Sequence, residues 1–262
     1  MTKSRRGIQS IEVGGALLTA LVDAGAPLPL RELAQRAGMT SAKAHPYLVS
    51  YGKLGLIEQD PLTGRYGLGP FALQMGLVSL QLLSPVRAAI PAITALGDAT
   101  GHTVALAVLG THGPTIVHIH ESARPIHVNM RAGTVMSTVN TATGLVFSAW
   151  LPPAVAQHYI AREQKDPAVT ARAAVPRPRV ELDALLAEVR RRGLARAVGE
   201  PIPGVNALSA PVFDHAGAVV VAVTAIGPAG SFDPAWDGAL ARAVRGCADE
   251  VSRRLGYLPP GG

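Results

Sequence analysis

Apolar residues recur at three- and four-residue spacing in three short runs before residue 55, after which the pattern switches to strand–turn–strand. This order restricts the first 70 residues to a small helical core carrying a hairpin. The first run takes Ser10 as its cap, carries Gly14, Leu17, Leu18 and Leu21, and stops at Gly25. The second, Leu30, Leu33, Ala34 and Ala37, follows Pro27 and Pro29 and ends at Gly38. Thr40 and Ser41 both cap a third, with Ala44, Tyr47, Leu48, Tyr51 and Leu54 on its apolar face. Residues 56–59 and 65–68 then flank the turn Asp60-Pro61-Leu62-Thr63-Gly64, as two strands around a Pro/Gly turn do. Three short helices and a hairpin on this scale form a winged helix-turn-helix core.

Beyond it the patterns alternate. Residues 71–83 (Phe71, Leu73, Met75, Leu77, Leu80, Leu83) are helical until Ser84-Pro85 breaks them, which marks a linker helix. Residues 87–100 predict a helix ending at Gly101, and 103–109 and 115–120 predict strands around a turn at 110–114. A helix over 144–151 leaves a Thr-Ala-Thr-Gly turn, and Pro152-Pro153 opens another. Residues 180–192 predict a charged helix stopped by Gly193, 207–213 and 219–226 a hairpin about 214–217, and 234–255 a closing helix. The expected fold class is α+β, an antiparallel sheet flanked by helices. Length supports more than one domain, divided as 1–70, a linker helix 71–84, and 85–262.

Composition narrows the class further. With 48% apolar and 16% charged residues the chain can build packed cores, and with 4% aromatic residues those cores are mainly Ala, Val, Leu and Ile. Apolar stretches such as 104–109 and 218–226 fall far short of the ~20 residues of a membrane span, and the basic start at residues 1–6 leads into no signal-peptide core. The lone Cys247 permits neither an intrachain disulfide nor a cysteine zinc cluster, so a cytoplasmic protein is expected. The net charge of +6 is spread evenly: residues 1–84 hold eight Lys/Arg against five Asp/Glu, leaving sixteen against thirteen. Charge alone therefore does not assign nucleic-acid binding. No Gly-x-Ser-x-Gly, phosphate loop or dinucleotide fingerprint is present, which argues against an enzyme and against a cofactor.

Several segments together resemble the IclR (isocitrate lyase regulator) family of bacterial transcription factors. They are Gln9-Ser10-Ile11-Glu12, Leu33-Ala34, Gly38-Met39, Gly55-Leu56-Ile57-Glu58, Gly64-Arg65-Tyr66 and Leu68-Gly69 in the first domain. In the second they are Arg131-Ala132-Gly133, Thr141-Ala142-Thr143-Gly144, Gly199-Glu200, Ala210-Pro211-Val212-Phe213-Asp214 and Gly227-Pro228. The resemblance implies a winged helix-turn-helix followed by a GAF-like sensor domain. It further implies a homodimer or homotetramer on a palindromic double-stranded operator, controlled by a small-molecule effector.

Within the first domain, the third helix is the expected recognition element for the major groove. Thr40, Ser41, Lys43, Ala44, His45 and Tyr47 lie in its early turns, and Arg65 follows the hairpin turn; these are the candidate DNA contacts. The plainer alternatives are that Thr40 and Ser41 only cap the helix and that Tyr47 packs into the core. Carried over from the resemblance, Thr141, Ala142, Thr143, Gly144, Asn206, Ala207 and Thr224 are the candidate effector contacts. A turn entering a helix can offer N–H donors to an anionic ligand. Gly144 could instead serve only the turn, and Thr224 the sheet. With no carried-over Arg or Lys, such a pocket suits a small carboxylate or hydroxylated aromatic, as met in aromatic-acid catabolism. His118 and His120 flank Ile119 near Glu121 and share one strand face, but two histidines do not make a metal site and a polar face is the favoured reading. Arg190, Arg191 and Arg192 end a helix, where cations offset its dipole. Cys247 has no neighbouring base and is a poor nucleophile.

Pro46 departs from the resembled family, which usually has Arg after the His. A proline inside a helix removes an N–H and crowds the carbonyl four residues back. Two readings stay open: the helix starts nearer His45 and Pro46 falls harmlessly in its first turn, or the helix is disturbed and operator recognition is weakened or altered, to the extreme of a ligand-binding chain with impaired DNA binding.

Overall fold

The structure, a computed structural model, describes residues 7–82, 84–121, 130–165 and 178–259, with residues 79–82 described by their backbone only. The basic start at residues 1–6 and Leu83 lie outside the described residues. The chain divides into two compact units, Met1–Leu83 and Ser84–Gly262.

In the first unit, α1 (Gln9–Ala24), α2 (Leu30–Arg36) and α3 (Ser41–Lys53) precede the strands β1 (Ile57–Gln59) and β2 (Tyr66–Leu68) and the helix α4 (Pro70–Leu82). Their inner faces, among them Leu17, Leu21, Leu33, Ala44, Leu48 and Ile57, form one apolar core. Gly14 brings α1 and α3 together, since a Cβ there would overlap the Tyr51 hydroxyl and stand 2.8 Å from the Tyr47 ring. Burial and the neighbouring Tyr47 raise the Tyr51 pKa. The strands β1 and β2 pair antiparallel, and Leu28 adds a third short rung by exchanging backbone hydrogen bonds with Tyr66 at 2.9 and 2.8 Å. In the hairpin turn the Asp60 carboxylate accepts from the N–H groups of Leu62 (2.7 Å) and Thr63 (3.1 Å), which lowers its pKa.

The second unit is built on a five-stranded antiparallel sheet of order β4-β3-β7-β6-β5, where β3 is Thr103–Gly110, β4 Gly113–His120, β5 Ala195–Val198, β6 Val205–Phe213 and β7 Val219–Pro228. The helices α5 (Pro85–Thr100) and α9 (Ala239–Arg254) cover one face, and α6 (Ala142–Trp150) covers the other, backed by α7 (Pro153–Lys165) and α8 (Arg179–Arg192). Strand alternation sorts the residues: Ala105, Ala107, Ala222 and Ile226 join the α6 core, while the intervening residues face α5 and α9.

Several boundaries differ from the sequence expectation: α6 starts at Ala142 rather than 144, β4 at Gly113 rather than 115 and β6 at Val205 rather than 207, and two helix starts have a local cause. Ile8, not Ser10, holds the N-cap position of α1, so Ser10 lies inside the helix. The closing helix begins at Ala239 and not at 234, because the Asp233 carboxylate accepts from Ala235 N–H (2.9 Å) and stabilises a turn that delays the helix. The short strand β5 is absent from the sequence pattern, being only four residues long.

The segment before α6 is held unusually close. Gly144 packs against the chain reversal ahead of it, and a Cβ there would collide with the Ser137 carbonyl and lie 2.7 Å from Thr138 Cα. Gly144→Ala is therefore expected to cost about 1–3 kcal/mol of stability, as overpacking of a close-packed core does. Urea denaturation followed by tryptophan fluorescence measures it, since both tryptophans, Trp150 and Trp236, lie in the second unit.

Candidate functional site

Two surfaces carry the chemistry, one in each unit. On α3, Thr40 accepts the Lys43 N–H (3.3 Å) as a true N-cap, so the helix starts at Ser41 and runs through Pro46. A late start is excluded: Pro46 sits in the helix interior, where the Ala42 carbonyl loses its ordinary partner. Lys43, His45, Pro46, Val49 and Ser50 lie exposed along one side, opposite the buried Ala44 and Leu48. Ser50 Oγ donates to the Pro46 carbonyl at 3.0 Å.

The second surface is a cavity of about 1030 Å³ between α6, the sheet and two loops. Thr141, Ala142 and Thr143, at the first turn of α6, form its base together with Ala207 and Thr224 from the strands. Thr141 Oγ1 accepts from Gly144 N–H (3.0 Å) and donates to the Ser137 carbonyl (2.7 Å), which fixes that turn. The first-turn N–H groups of a helix have no intrahelical acceptor, so Ala142 and Thr143 bring donors to the cavity. Thr143 Oγ1 is 2.8 Å from Thr224 Oγ1, which is 2.8 Å from Ser209 Oγ.

Residues 130–137 make the second wall. Gly133 and Thr134 pair with Ile116 on the outer edge of β4 (2.8 and 2.9 Å), and Met136 N–H donates to the Pro114 carbonyl (2.7 Å). A tight turn at 131–134, bonded both ways between Arg131 and Thr134, sets Arg131 on the wall. The buried Glu163 carboxylate of α7 accepts from Ser137 Oγ and from Thr138 N–H (2.6 Å), anchoring this segment from behind. Glu200, Pro201 and Ile202, between β5 and β6, line the opposite side.

A helix-turn-helix with a hairpin, joined to a sheet domain whose cavity is capped by a helix N-terminus, agrees with the family models that match here. The IclR helix-turn-helix domain matches residues 10–61, and the bacterial transcriptional regulator IclR C-terminal domain matches residues 79–253. The chain belongs to the IclR family. It is 33% identical over 255 residues to the glycerol operon regulatory protein of Streptomyces griseus, covering 96% of this chain and 98% of that one. It is 26% identical to the regulator BhcR of Paracoccus denitrificans, over 88% of this chain and 82% of that one. Among solved structures, HmgR of Pseudomonas aeruginosa superposes with a TM-score of 0.85 at 34% identity, covering 97% of this chain and all of that one. This IclR-family chain is thus a DNA-binding transcriptional regulator with an effector-binding C-terminal domain, and its relatives are regulators rather than enzymes.

Within the IclR frame the candidate residues separate. Thr40, Ser41, Lys43, His45 and Arg65 lie at least partly exposed on the first unit, but Ala44 is fully buried in the core and cannot reach DNA. Tyr47 packs on Gly14 of α1, which favours its core reading. Arg65 donates to the Pro27 carbonyl (3.1 Å), holding the base of the hairpin.

Of the effector candidates, Thr141, Ala142, Thr143, Ala207 and Thr224 line the cavity. Gly144 serves the close approach behind it, and Asn206 points to the opposite sheet face because Val205 and Ala207 take the cavity side. The Asn206 side chain accepts from Gly199 N–H (3.1 Å) and donates to the Phe232 carbonyl (3.3 Å). Arg131 corrects the expectation of a pocket without a cation. Its motif was visible in the sequence, but only the pairing of 133–134 with β4 brings it to the wall.

The remaining features are structural. His120 Nε2 lies 3.0 Å from Asp98 Oδ1, its ring against Gly97 of α5, and no group of three metal-binding side chains exists among the described residues. Arg190 donates to the Ala149 carbonyl (2.6 Å), Arg191 pairs with Glu188, and Arg192 bonds Glu188 (2.9 Å) and Asp237 (3.3 Å). Burial, with Glu250 nearby, pushes the Cys247 thiol up to about 12, so it stays protonated at neutral pH. No helix among the described residues is long and apolar enough to cross a membrane. Asn206→Ala leaves the carbonyl of the buried Phe232 without its side-chain donor, while Gly199 N–H keeps the Val205 carbonyl (3.1 Å), and is expected to cost about 1–3 kcal/mol. Tryptophan-detected urea denaturation would read that loss.

Proposed function

We propose that this regulator acts in the cytoplasm as a symmetric oligomer on a palindromic operator, and that its effector is a small carboxylate carrying an apolar, hydroxylated aromatic body. The observation that carries the ligand reading is the cavity base. There the first turn of α6 supplies N–H donors, with Arg131 on the adjoining wall and Glu200 on the opposite side, so the base end is the one suited to a carboxylate. Met130, Val135, Met136, Ile202 and Ile226 supply an apolar remainder. Two relatives are named glycerol operon regulatory proteins, but the apolar walls favour a larger, less polar ligand for this chain. Such a volume is at the upper end of the ~300–1,000 Å³ typical of small-molecule sites.

Self-association is supported by α4. Phe71, Met75 and Val78 fall along one side of this helix and Leu73 and Leu77 along another, all 44–65% exposed within one chain, an apolar surface that a second copy would cover. One recognition helix also reads too few base pairs for useful specificity, which a two-fold pair remedies.

A second reading, favoured by Pro46 alone, is that operator recognition is weakened. Proline within α3 costs about 3 kcal/mol relative to an ordinary helical residue, and it stands on the exposed side where Arg would contact phosphate or guanine. One experiment addresses both readings: fluorescence anisotropy of the DNA flanking the gene, at two salt concentrations, for the native chain and Pro46→Arg. Native binding is expected to weaken steeply with salt, and Pro46→Arg to bind about tenfold tighter, with a higher melting temperature. Equal affinity and equal melting temperature would remove the weakened-recognition reading. Salt-independent binding, or a monomer by sedimentation, would remove the oligomeric operator complex.

A further inference from the structure

The cavity base holds a chain of three hydroxyls, Ser209 Oγ, Thr224 Oγ1 and Thr143 Oγ1, linked by two contacts of 2.8 Å. Thr143 and Thr224 line the cavity and Ser209 does not. All three are buried, with exposures of 0% for Ser209, 2% for Thr224 and 1% for Thr143. Each hydroxyl brings one proton, and two links use only two of them. Where the third proton goes decides what the cavity presents to a ligand.

Proton accounting fixes the direction. Among the described residues Ser209 Oγ has Thr224 Oγ1 as its partner and no other, so if it accepted from Thr224 its own proton would be buried without an acceptor. Ser209 therefore donates to Thr224. Thr224 Oγ1 has these same two partners, so its proton passes on to Thr143. Thr143 accepts that proton, and its own O–H is left directed at the cavity. The opposite orientation strands a buried O–H, which biases the pair of states by about tenfold or more.

We infer that this relay polarises Thr143 into a hydrogen-bond donor toward the effector, and that Ser209, a residue outside the cavity, is a specificity-determining residue acting through Thr224. The inference rests on the carboxylate reading above for its ligand, and on hydroxyl geometry alone for its direction. The Thr143 O–H then adds to the backbone N–H groups of Ala142 and Thr143, so the first turn of α6 presents a run of donors, with Arg131 on the adjoining wall. A carboxylate oxygen is accepted there, and a carboxamide N–H meets another donor. Discrimination of this kind, where a mismatched group leaves buried polar atoms unpaired, is far stronger than discrimination by shape.

Two measurements test it. Neutron diffraction of deuterium-exchanged crystals of the full-length native chain, without ligand, is expected to place the Ser209 deuteron toward Thr224, the Thr224 deuteron toward Thr143, and the Thr143 deuteron in the cavity. A Thr143 deuteron aimed at Thr224 would overturn the relay. Calorimetry with 4-hydroxybenzoate and 4-hydroxybenzamide is expected to show the native chain preferring the acid. In Ser209→Ala that preference falls about tenfold, because both hydroxyl orientations become open, and Ser209→Thr restores it. An unchanged acid-to-amide ratio in Ser209→Ala would overturn the specificity role. Binding of neither probe by the native chain would remove the carboxylate reading for this ligand class, with the relay still judged by the deuteron positions.

Discussion

The first turn of α6 lies against the backbone of Ser137 and Thr138 at a distance that only glycine at 144 permits, and the sensor unit is organised around that approach. Because the helix sits so low, Thr141 can cap it while also holding the Ser137 carbonyl, and Ala142 and Thr143 come level with the strands β6 and β7. The Thr143–Thr224 bond crosses that junction. A helix standing an ångström higher would leave the hydroxyls apart and the cavity base open.

The same approach has to be held from outside. Glu163 reaches from α7 to Ser137 and Thr138, while Tyr159 and Arg162 of the same helix donate to the carbonyls of Gly110 (3.2 Å) and Thr111 (2.9 Å) at the β3–β4 turn. The helix α7 thus joins the cavity wall to the end of the sheet through charged and polar bonds. The buried one, from Thr138 N–H to Glu163, specifies position more sharply than apolar packing, since a mispairing there leaves a group unsatisfied. The first unit uses the opposite device. There an apolar core fixes α1, α2 and α3, and the polar residues are left on the outside of α3.

The sequence was informative wherever a short-range rule operates. Helical periodicity, the cap at Thr40 and the turn residues of 60–64 gave the helix-turn-helix and its hairpin nearly to the residue, and the paired motifs of the second unit led to an α+β sheet domain of the IclR family. Boundaries failed where a local side chain competed with the helix, as Asp233 does before α9, and β5 was missed because four residues carry too little periodicity. Ala44 and Asn206 were misassigned for one reason: position within a motif says nothing of which way a side chain faces. A period of 3.6 turns Ala44 inward, and a period of 2 turns Asn206 to the far face of the sheet.

What the sequence determined by itself was therefore the order of elements, the family, and the residue types available for DNA and ligand, because these follow from propensity and pattern along the chain. Tertiary structure alone decided which of those residues meet. Arg131 reaches the cavity through the pairing of Gly133 and Thr134 with β4, and Ser209 reaches Thr143 only through Thr224, across 81 and 15 residues of chain. Contacts between residues so distant depend on strand register and on how low a helix sits, and both are set by packing, on which local sequence rules are silent.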